Sequence, residues 1–361
     1  GTETGKDGPT RAPGLPRAAP TPARVVQPER AADGERLPAA PSSIVFTRIG
    51  AAMRRVVPKF SLALVLLAAF AIELPSQTRR SVAITIDDLP WARDVAFTDG
   101  QLGALTTRLV AQIRAAEMPA IGFVNEGKLE RGTGRAALLG QWVDARLELG
   151  NHSYSHRSFF TTPLDTFQAD VLRGERVTRR LMAERRMRPR FFRHPFLNTG
   201  PDLATKAAFE RFLGRHGYRV APVTVDTEDY IFALAYDRAA ARGDSAAMRR
   251  IGGAYLSHTD TSFAYYEELS RRLLGREPAQ ILLLHANQLN TDYLDELATL
   301  LRGRGYTFAT LDRAMRDPAY RQPDRYAGRA GMSWLQRWAI TRGTAPGPEP
   351  RVPTWITEAT R

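Results

Sequence analysis

Five short stretches hold, in chain order, the residue types that metal-assisted hydrolysis requires: 85-TIDD-88, 152-HSYSH-156, 193-RHPF-196, 226-DTEDY-230 and 282-LLLH-285. A metal that activates water takes two or three nitrogen or oxygen ligands, keeps one position open and works beside a base and an acid. His152 and His156 are four residues apart, the separation of one helical turn, so both can address one ion. Asp88 completes a set of one carboxylate and two imidazoles, which suits Zn²⁺ best and admits Co²⁺, Mn²⁺ or Ni²⁺. Asp87 is then free to act as base for the metal-activated water. Arg193 is the cation that would hold Asp87 ionised and oriented.

The same reading assigns the other side of the reaction. The turn at Pro195-Phe196 presents a backbone N–H, so Phe196 is the expected oxyanion donor. His285 ends an apolar run and is placed to protonate a leaving nitrogen, with Asp229 as the partner that keeps it charged. Tyr230 and His194 are candidates for lining the substrate site. Of the six histidines, His216 and His258 have no such context and read as surface or structural residues.

These groups need strand ends to bring them together. Val82–Ile86, Ala120–Val124 and Ile281–Leu284 are apolar runs of buried-strand type. Arg190–Arg193, Tyr218–Val225 and Thr307–Ala309 are further expected strands. Between them, Leu102, Leu105, Leu109, Val110 and Ile113 recur at helical spacing, as do Leu138, Leu139, Trp142, Val143 and Leu147. Phe167, Val171, Leu172 and Leu181 suggest a third helix, Leu203–His216 a fourth and Tyr293–Arg302 a fifth. Gly150-Asn151 reads as a loop. Alternating strands and helices predict a parallel α/β architecture, whose active sites lie at the C-terminal strand ends.

Residues 231–279 interrupt the alternation and read as a helical insertion over or beside the mouth of the barrel, bearing Phe263, Tyr265 and Tyr266. The catalytic domain is expected over 80–342, with 343–361 as a flexible Pro/Gly-rich tail. At the other end, residues 1–52 are rich in Pro, Ala, Gly and Arg and cannot bury enough apolar surface to offset ordering entropy. Met53 opens a basic segment, then the apolar run 61–71, ending Ala69-Phe70-Ala71. This matches a secretory signal over 53–71, so the expectation is an exported protein whose natural start is Met53. The run is too short for a comfortable membrane span, and none is expected after signal cleavage.

The 361 residues carry 51 Lys/Arg against 38 Asp/Glu, a net charge of +13. That charge favours anionic surfaces, but the arginines are dispersed, without the clustered basic-aromatic pattern of a nucleic-acid groove. No cysteine is present, which excludes disulfides, thiolate metal sites and a cysteine nucleophile.

With all five stretches in this order, the chain resembles the polysaccharide deacetylases of the NodB-homology type, the family four carbohydrate esterases, over roughly residues 80–315. The resemblance implies a distorted (β/α)₇ barrel, a divalent metal and removal of acetyl groups from N-acetylhexosamine residues of an acetylated glycan. It places the base on Asp87, the ligands on Asp88, His152 and His156, the orienting arginine on Arg193, and the acid on His285 tuned by Asp229. The departures are Ile86 where Phe is common, Phe196 for Tyr, Tyr230 for Trp, and the long 231–279 segment. Two rival readings accompany it: an amide or ester hydrolase of this scaffold acting on acetylated xylan or a ureide, and a non-catalytic glycan-binding module.

Overall fold

In the computed structural model, which describes residues 80–361, eight strands form one wholly parallel sheet. They are β1 (Ser81–Leu89), β2 (Ile121–Val124), β3 (Glu148–Asn151), β4 (Phe191–Phe192), β5 (Arg219–Val220), β6 (Val225–Asp226), β7 (Gln280–His285) and β8 (Thr307–Phe308). The spatial order is β5-β4-β3-β2-β1-β7-β6, with β8 paired to the start of β1. Strands β1, β2 and β7 are buried along almost their whole length, as a parallel sheet covered on both faces requires. The segments read as disordered leader and secretory signal, 1–52 and 53–71, lie outside the described residues. No helix among the described residues is long and apolar enough to cross a membrane.

The sheet curls into the expected distorted barrel, and its distortion has a location. The two edge strands, β5 and β6, are consecutive in the chain and are joined by residues 221–224 without pairing to each other. The link finds its hydrogen bonds elsewhere. Ala221 N–H donates to Phe192 O at 2.7 Å and Thr224 N–H to Ile281 O at 3.0 Å. The carbonyls of Ala221 and Pro222 accept from the Arg193 guanidinium at 3.0 and 3.4 Å, and that of Val223 accepts from Trp334 N–H at 2.6 Å. The expected single strand Tyr218–Val225 is therefore two short ones. Pro222 has no N–H to give a ladder, so the strand breaks there.

Helices pack outside the strands. Asp99–Ala115 begins with a capping box between Thr98 and Gln101 and buries Leu102, Leu109, Val110 and Ile113. Ala136–Asp144 buries Leu138, Leu139, Trp142 and Val143. The expected third helix is two, Leu164–Arg173 and Arg176–Ala183, broken around Gly174. A Cβ at Gly174 would lie 2.5 Å from Tyr154 N, so only glycine lets the loop after β3 approach this closely. Gly150 and Asn151, read as loop, belong to β3 and pair with Phe123 and Val124.

The insertion before the strand bearing His285 consists of helices Asp229–Ala241 and Ser245–Leu274. It also serves as the crossover between β6 and β7, because parallel neighbours cannot be joined by a tight turn. Phe263, Tyr266 and Leu269 are fully buried in the main core, so this helix is part of the barrel wall. The end of the chain differs from the expected flexible tail. Residues Thr354–Ala359 form a helix whose Ile356 is fully buried against Phe232, Ala235 and Tyr255. Burying such a side chain is worth about 2–3 kcal/mol, which holds the segment despite its Pro/Gly-rich approach.

Candidate active site

Strand alternation should send adjacent residues to opposite faces. Asp87 and Asp88 escape this because the β1–β2 register shifts between Ile86 and Leu89 and Asp88 has φ +70°. Both carboxylates thus come near His152, whose Nε2 lies 3.7 Å from Asp87 Oδ2 and 3.9 Å from Asp88 Oδ1. Asp87 is buried, and Arg193 Nη1 donates to both its oxygens at 3.1 Å. Arg193 is itself fully buried and also donates to Thr85 Oγ1 at 2.9 Å. Burial pushes the Asp87 carboxyl up to about 6, with the Arg193 charge opposing it.

The two histidines meet through a loop and not through a helical turn. Residues 152–156 leave the end of β3 with Ser153 at φ +65° and His156 at φ +55°. Local bonds stabilise this uncommon backbone: Asn151 Oδ1 accepts from Ser153 N–H at 2.7 Å, and the Asp170 carboxylate accepts from Ser155 N–H and Oγ at 3.1 and 2.7 Å. Asn125 Nδ2 donates to His152 O at 2.6 Å. Serine and asparagine side chains compete for backbone in this way and disfavour a helix. His152 Nδ1 lies 2.8 Å from Arg193 O, a contact that makes Nδ1 the donor and leaves Nε2 as a free lone pair. Burial, then the neighbouring His156, holds the His152 imidazole well below its ordinary value, hence neutral.

Asp88 Oδ1 lies 3.4 Å from His156 Nε2, and ligand atoms of Asp88, His152 and His156 all fall within 4.8 Å of one another. That oxygen is buried without a hydrogen-bond partner among the described residues, with the Lys128 ammonium 3.4 Å away, and so keeps a lone pair for a coordinated cation. One carboxylate and two neutral imidazoles therefore fit a divalent first-row metal. Burial is the largest influence on Asp88 and works against its charge. Lys128, His156 and His152 together outweigh it and hold the carboxyl below its usual range.

Across the cleft, Asp87 and His285 are register partners on β1 and β7. His285 Nδ1 is 2.7 Å from Asp229 Oδ1, and Asp229 Oδ2 accepts from His285 N–H at 2.9 Å, Asn287 Nδ2 at 3.1 Å and Asn290 Nδ2 at 2.5 Å. Burial works against the imidazolium, but Asp229 prevails and raises His285 to about 10. Tyr230 is half exposed, its ring 5.9 Å from that of His285.

These groups open on a cleft of about 340 Å³. Asp87, His152, His156, Phe196, Tyr230 and His285 line it. Phe196 has φ +55°, is 57% exposed and sets its ring 4.5 Å from that of His156. His194 also borders the cleft, but its ring packs among Phe159, Phe192 and Phe209. His216 is exposed, and His258 is buried beside Phe232.

Sequence reasoning missed several neighbours. Lys128 is buried, with Nζ 3.4 Å from Asp88 Oδ1 and within hydrogen-bond reach of the carbonyls of Asp88, Trp91 and Ala92. Asp226 lines the cleft and is pushed up to about 6 by burial. Asn287 and Asn290, just past 282-LLLH-285, could have been found as polar residues following a strand end. Lys128, and Gly331, which also lines the cleft, carry no spacing signal.

A family model described as polysaccharide deacetylase matches residues 75–218. No curated protein matches the chain. Among solved structures, the chain is 19% identical to a mutant of a CE4 family pseudoenzyme from Bacillus anthracis with restored enzymatic activity, covering 66% of this chain and 68% of that one at a TM-score of 0.46. It is 18% identical to a family 4 carbohydrate esterase from Streptomyces lividans in complex with acetate, covering 65% and 95% at a TM-score of 0.41. It is 22% identical to a family 4 acetyl xylan esterase from Clostridium thermocellum in complex with a cobalt ion, covering 67% and 97% at a TM-score of 0.42. The match over residues 75–218 holds the Asp87-Asp88 pair, His152, His156 and Arg193, and over that stretch the chain is similar to the polysaccharide deacetylase family.

Proposed function

We propose that the protein is an exported, metal-dependent hydrolase that removes N-acetyl groups from N-acetylhexosamine residues of a poly- or oligosaccharide. The observation that carries this reading is the pairing across one cleft of an arginine-bound carboxylate and an aspartate-bound histidine, with the Asp88, His152 and His156 cluster beside them. Those three residues would hold the metal, Zn²⁺ being the ion the donor set favours. When bound, such an ion supplies Lewis acidity to a carbonyl and to a water.

The chain's own residues do the rest. Asp87, ionised above about pH 6, takes the proton of the attacking water. Arg193 holds that carboxylate in place. Phe196 N–H donates to the oxygen on which charge develops, and a backbone donor suffices there. His285 is an imidazolium at neutral pH, and with Nδ1 committed to Asp229, its Nε2–H is the proton available to the leaving amine. Tyr230 and Phe196, both exposed aromatics at the rim, offer flat apolar surface to a sugar ring.

The test is a product screen on chitooligosaccharides, peptidoglycan and poly-N-acetylglucosamine beside acetylated xylan and a ureide. Acetate from the N-acetylhexosamine substrates is the expected result. Turnover confined to the xylan ester or the ureide would replace this reading with another.

A further inference from the structure

The turn that carries Phe196 is strained, and its restraint comes from a distant part of the chain. Phe196 and Leu197 are consecutive non-glycine residues with φ +55° and +52°. Residues with a Cβ rarely occupy that region, and they persist there only where the surroundings over-determine the backbone. The Phe196 ring is largely exposed, so packing of its own side chain does little to hold the turn.

Asn198 is the first restraint. It is buried, and its amide uses both its donor and its acceptor groups. Nδ2 donates to the carbonyls of Phe196 and Arg329, each at 3.1 Å, and Oδ1 accepts from Ser158 Oγ at 2.7 Å. One side chain thus joins the turn to the loop that follows His156 and to the segment near residue 330.

Arg337 is the second restraint. It is fully buried on the helix Trp334–Thr341. Its Nη2 donates to Thr199 Oγ1 at 2.6 Å and its Nη1 to Leu197 O at 3.5 Å. Asp324 Oδ2 lies 2.7 Å from the same guanidinium and 2.6 Å from Lys206 Nζ, so the buried charge is paired. The helix is itself anchored, with Trp334, Leu335 and Trp338 in the main core and Trp334 N–H donating to Val223 O at 2.6 Å. Between the two restraints, Gly331 closes on the turn: a Cβ there would lie 2.0 Å from Phe196 O and 3.1 Å from Phe196 C. All of these contacts come from residues 324–337, outside the 75–218 stretch that is similar to the deacetylase family.

We infer that residues 324–337 are a brace that aims the Phe196 N–H, with Asn198 and Arg337 as positioning residues for the oxyanion donor. This rests on the deacetylase reading, in which that N–H meets the developing charge. The donor belongs to the residue whose carbonyl is pinned, so a turn that released the carbonyl would also swing the N–H. A donor aimed in advance needs no reorganisation when charge appears, and a displacement of about 1 Å can cost about 10²-fold in rate.

The test follows acetate release from an N-acetylglucosamine oligomer and hydrolysis of a small aryl acetate, each resolved into kcat and KM, with metal content read on the same preparations. Asn198→Asp keeps the side-chain shape and removes both donated bonds. Thr199→Val removes the hydroxyl that Arg337 meets. Gly331→Ala sets a methyl against Phe196 O, and because Gly331 is exposed it disturbs no core. Each should lower kcat by about tenfold to a hundredfold on both substrates, with KM and metal content unchanged, the pattern of an interaction made in the transition state. Thr199→Ser, which keeps the hydroxyl, should recover most of the loss. Unchanged kcat in Gly331→Ala and Thr199→Val, a rise in KM at constant kcat, or a loss that tracks metal content overturns the brace. Turnover of the aryl acetate with no acetate from the oligomer removes the deacetylase reading instead, and the kcat pattern on the ester then still decides the brace.

Discussion

Two adjacent aspartates at the end of β1 are driven in opposite directions by their neighbours. Burial raises Asp87 to about 6, whereas at Asp88 burial is outweighed, chiefly by the Lys128 ammonium, and the carboxyl stays charged. One is suited to exchange a proton and the other to hold a cation, which is how paired acids divide their roles. Asp87→Asn and His285→Ala should each lower kcat by about 10²-fold or more, the scale of acid–base catalysis, as measured by acetate release. The His285–Asp229 pair makes a second prediction. With His285 as the proposed acid, activity should fall as pH rises through its value of about 10. Asp229→Asn should move that alkaline limb down toward the ordinary imidazole range near about 6.5; a pH–rate profile checks it, and an unmoved limb would detach Asp229 from this role. The same raised value makes the pair's stabilisation complete below the unfolded imidazole value of about 6.5 and lost toward about pH 10. Asp87, Asp88, His152, His156, Arg193 and His285 were legible from their types and their places at strand ends. Lys128 was not, because its contacts with Asp88 and Trp91 arise from a turn that no local pattern announces.

Elements position these residues through their ends more than through their lengths. β4 is two residues long, yet it delivers Arg193 and the turn at Phe196. The His152–His156 spacing suggested a helix, but the positive φ values of Ser153 and His156 give a loop instead. Spacing alone could not distinguish the two, since either brings residues four apart together. The helix Arg176–Ala183 shows a similar limit to local reading. It has no side-chain cap of its own, and Glu126 from after β2 accepts from the N–H groups of Val177 and Thr178 at 3.0 and 2.6 Å. A carboxylate there also meets the positive end of the helix dipole. Glu126→Ala should therefore cost about 1–3 kcal/mol of stability, the penalty for leaving buried donors unpaired, as read from urea unfolding. A loss below a few tenths would show that the cap is dispensable.

At the scale of the molecule, the barrel is closed by side chains where the strands fail to pair. Arg193 bridges the 221–222 link, Thr85 and Asp87, so the seam and the active site share one residue. The alternation of strands and helices was readable from apolar periodicity. The closure was not, because it depends on Pro222 breaking a strand and on Trp334, more than a hundred residues later, meeting Val223. The terminal helix follows the same rule: Ile356 is one apolar residue in a Pro-rich stretch, and its burial against Tyr255 is decided by tertiary packing. Ile356→Ala should cost about 2–5 kcal/mol if that packing holds the segment, and a thermal unfolding scan would show it. The central claim, that Asp88, His152 and His156 hold a metal on which deacetylation depends, is tested most directly by acetate release from an N-acetylglucosamine oligomer before chelation, after chelation and after adding back Zn²⁺. The wild type should lose activity on chelation and regain it with the metal, while His152→Ala should neither bind the ion stoichiometrically nor recover. Undiminished acetate release from the chelated, metal-free wild type would contradict the account.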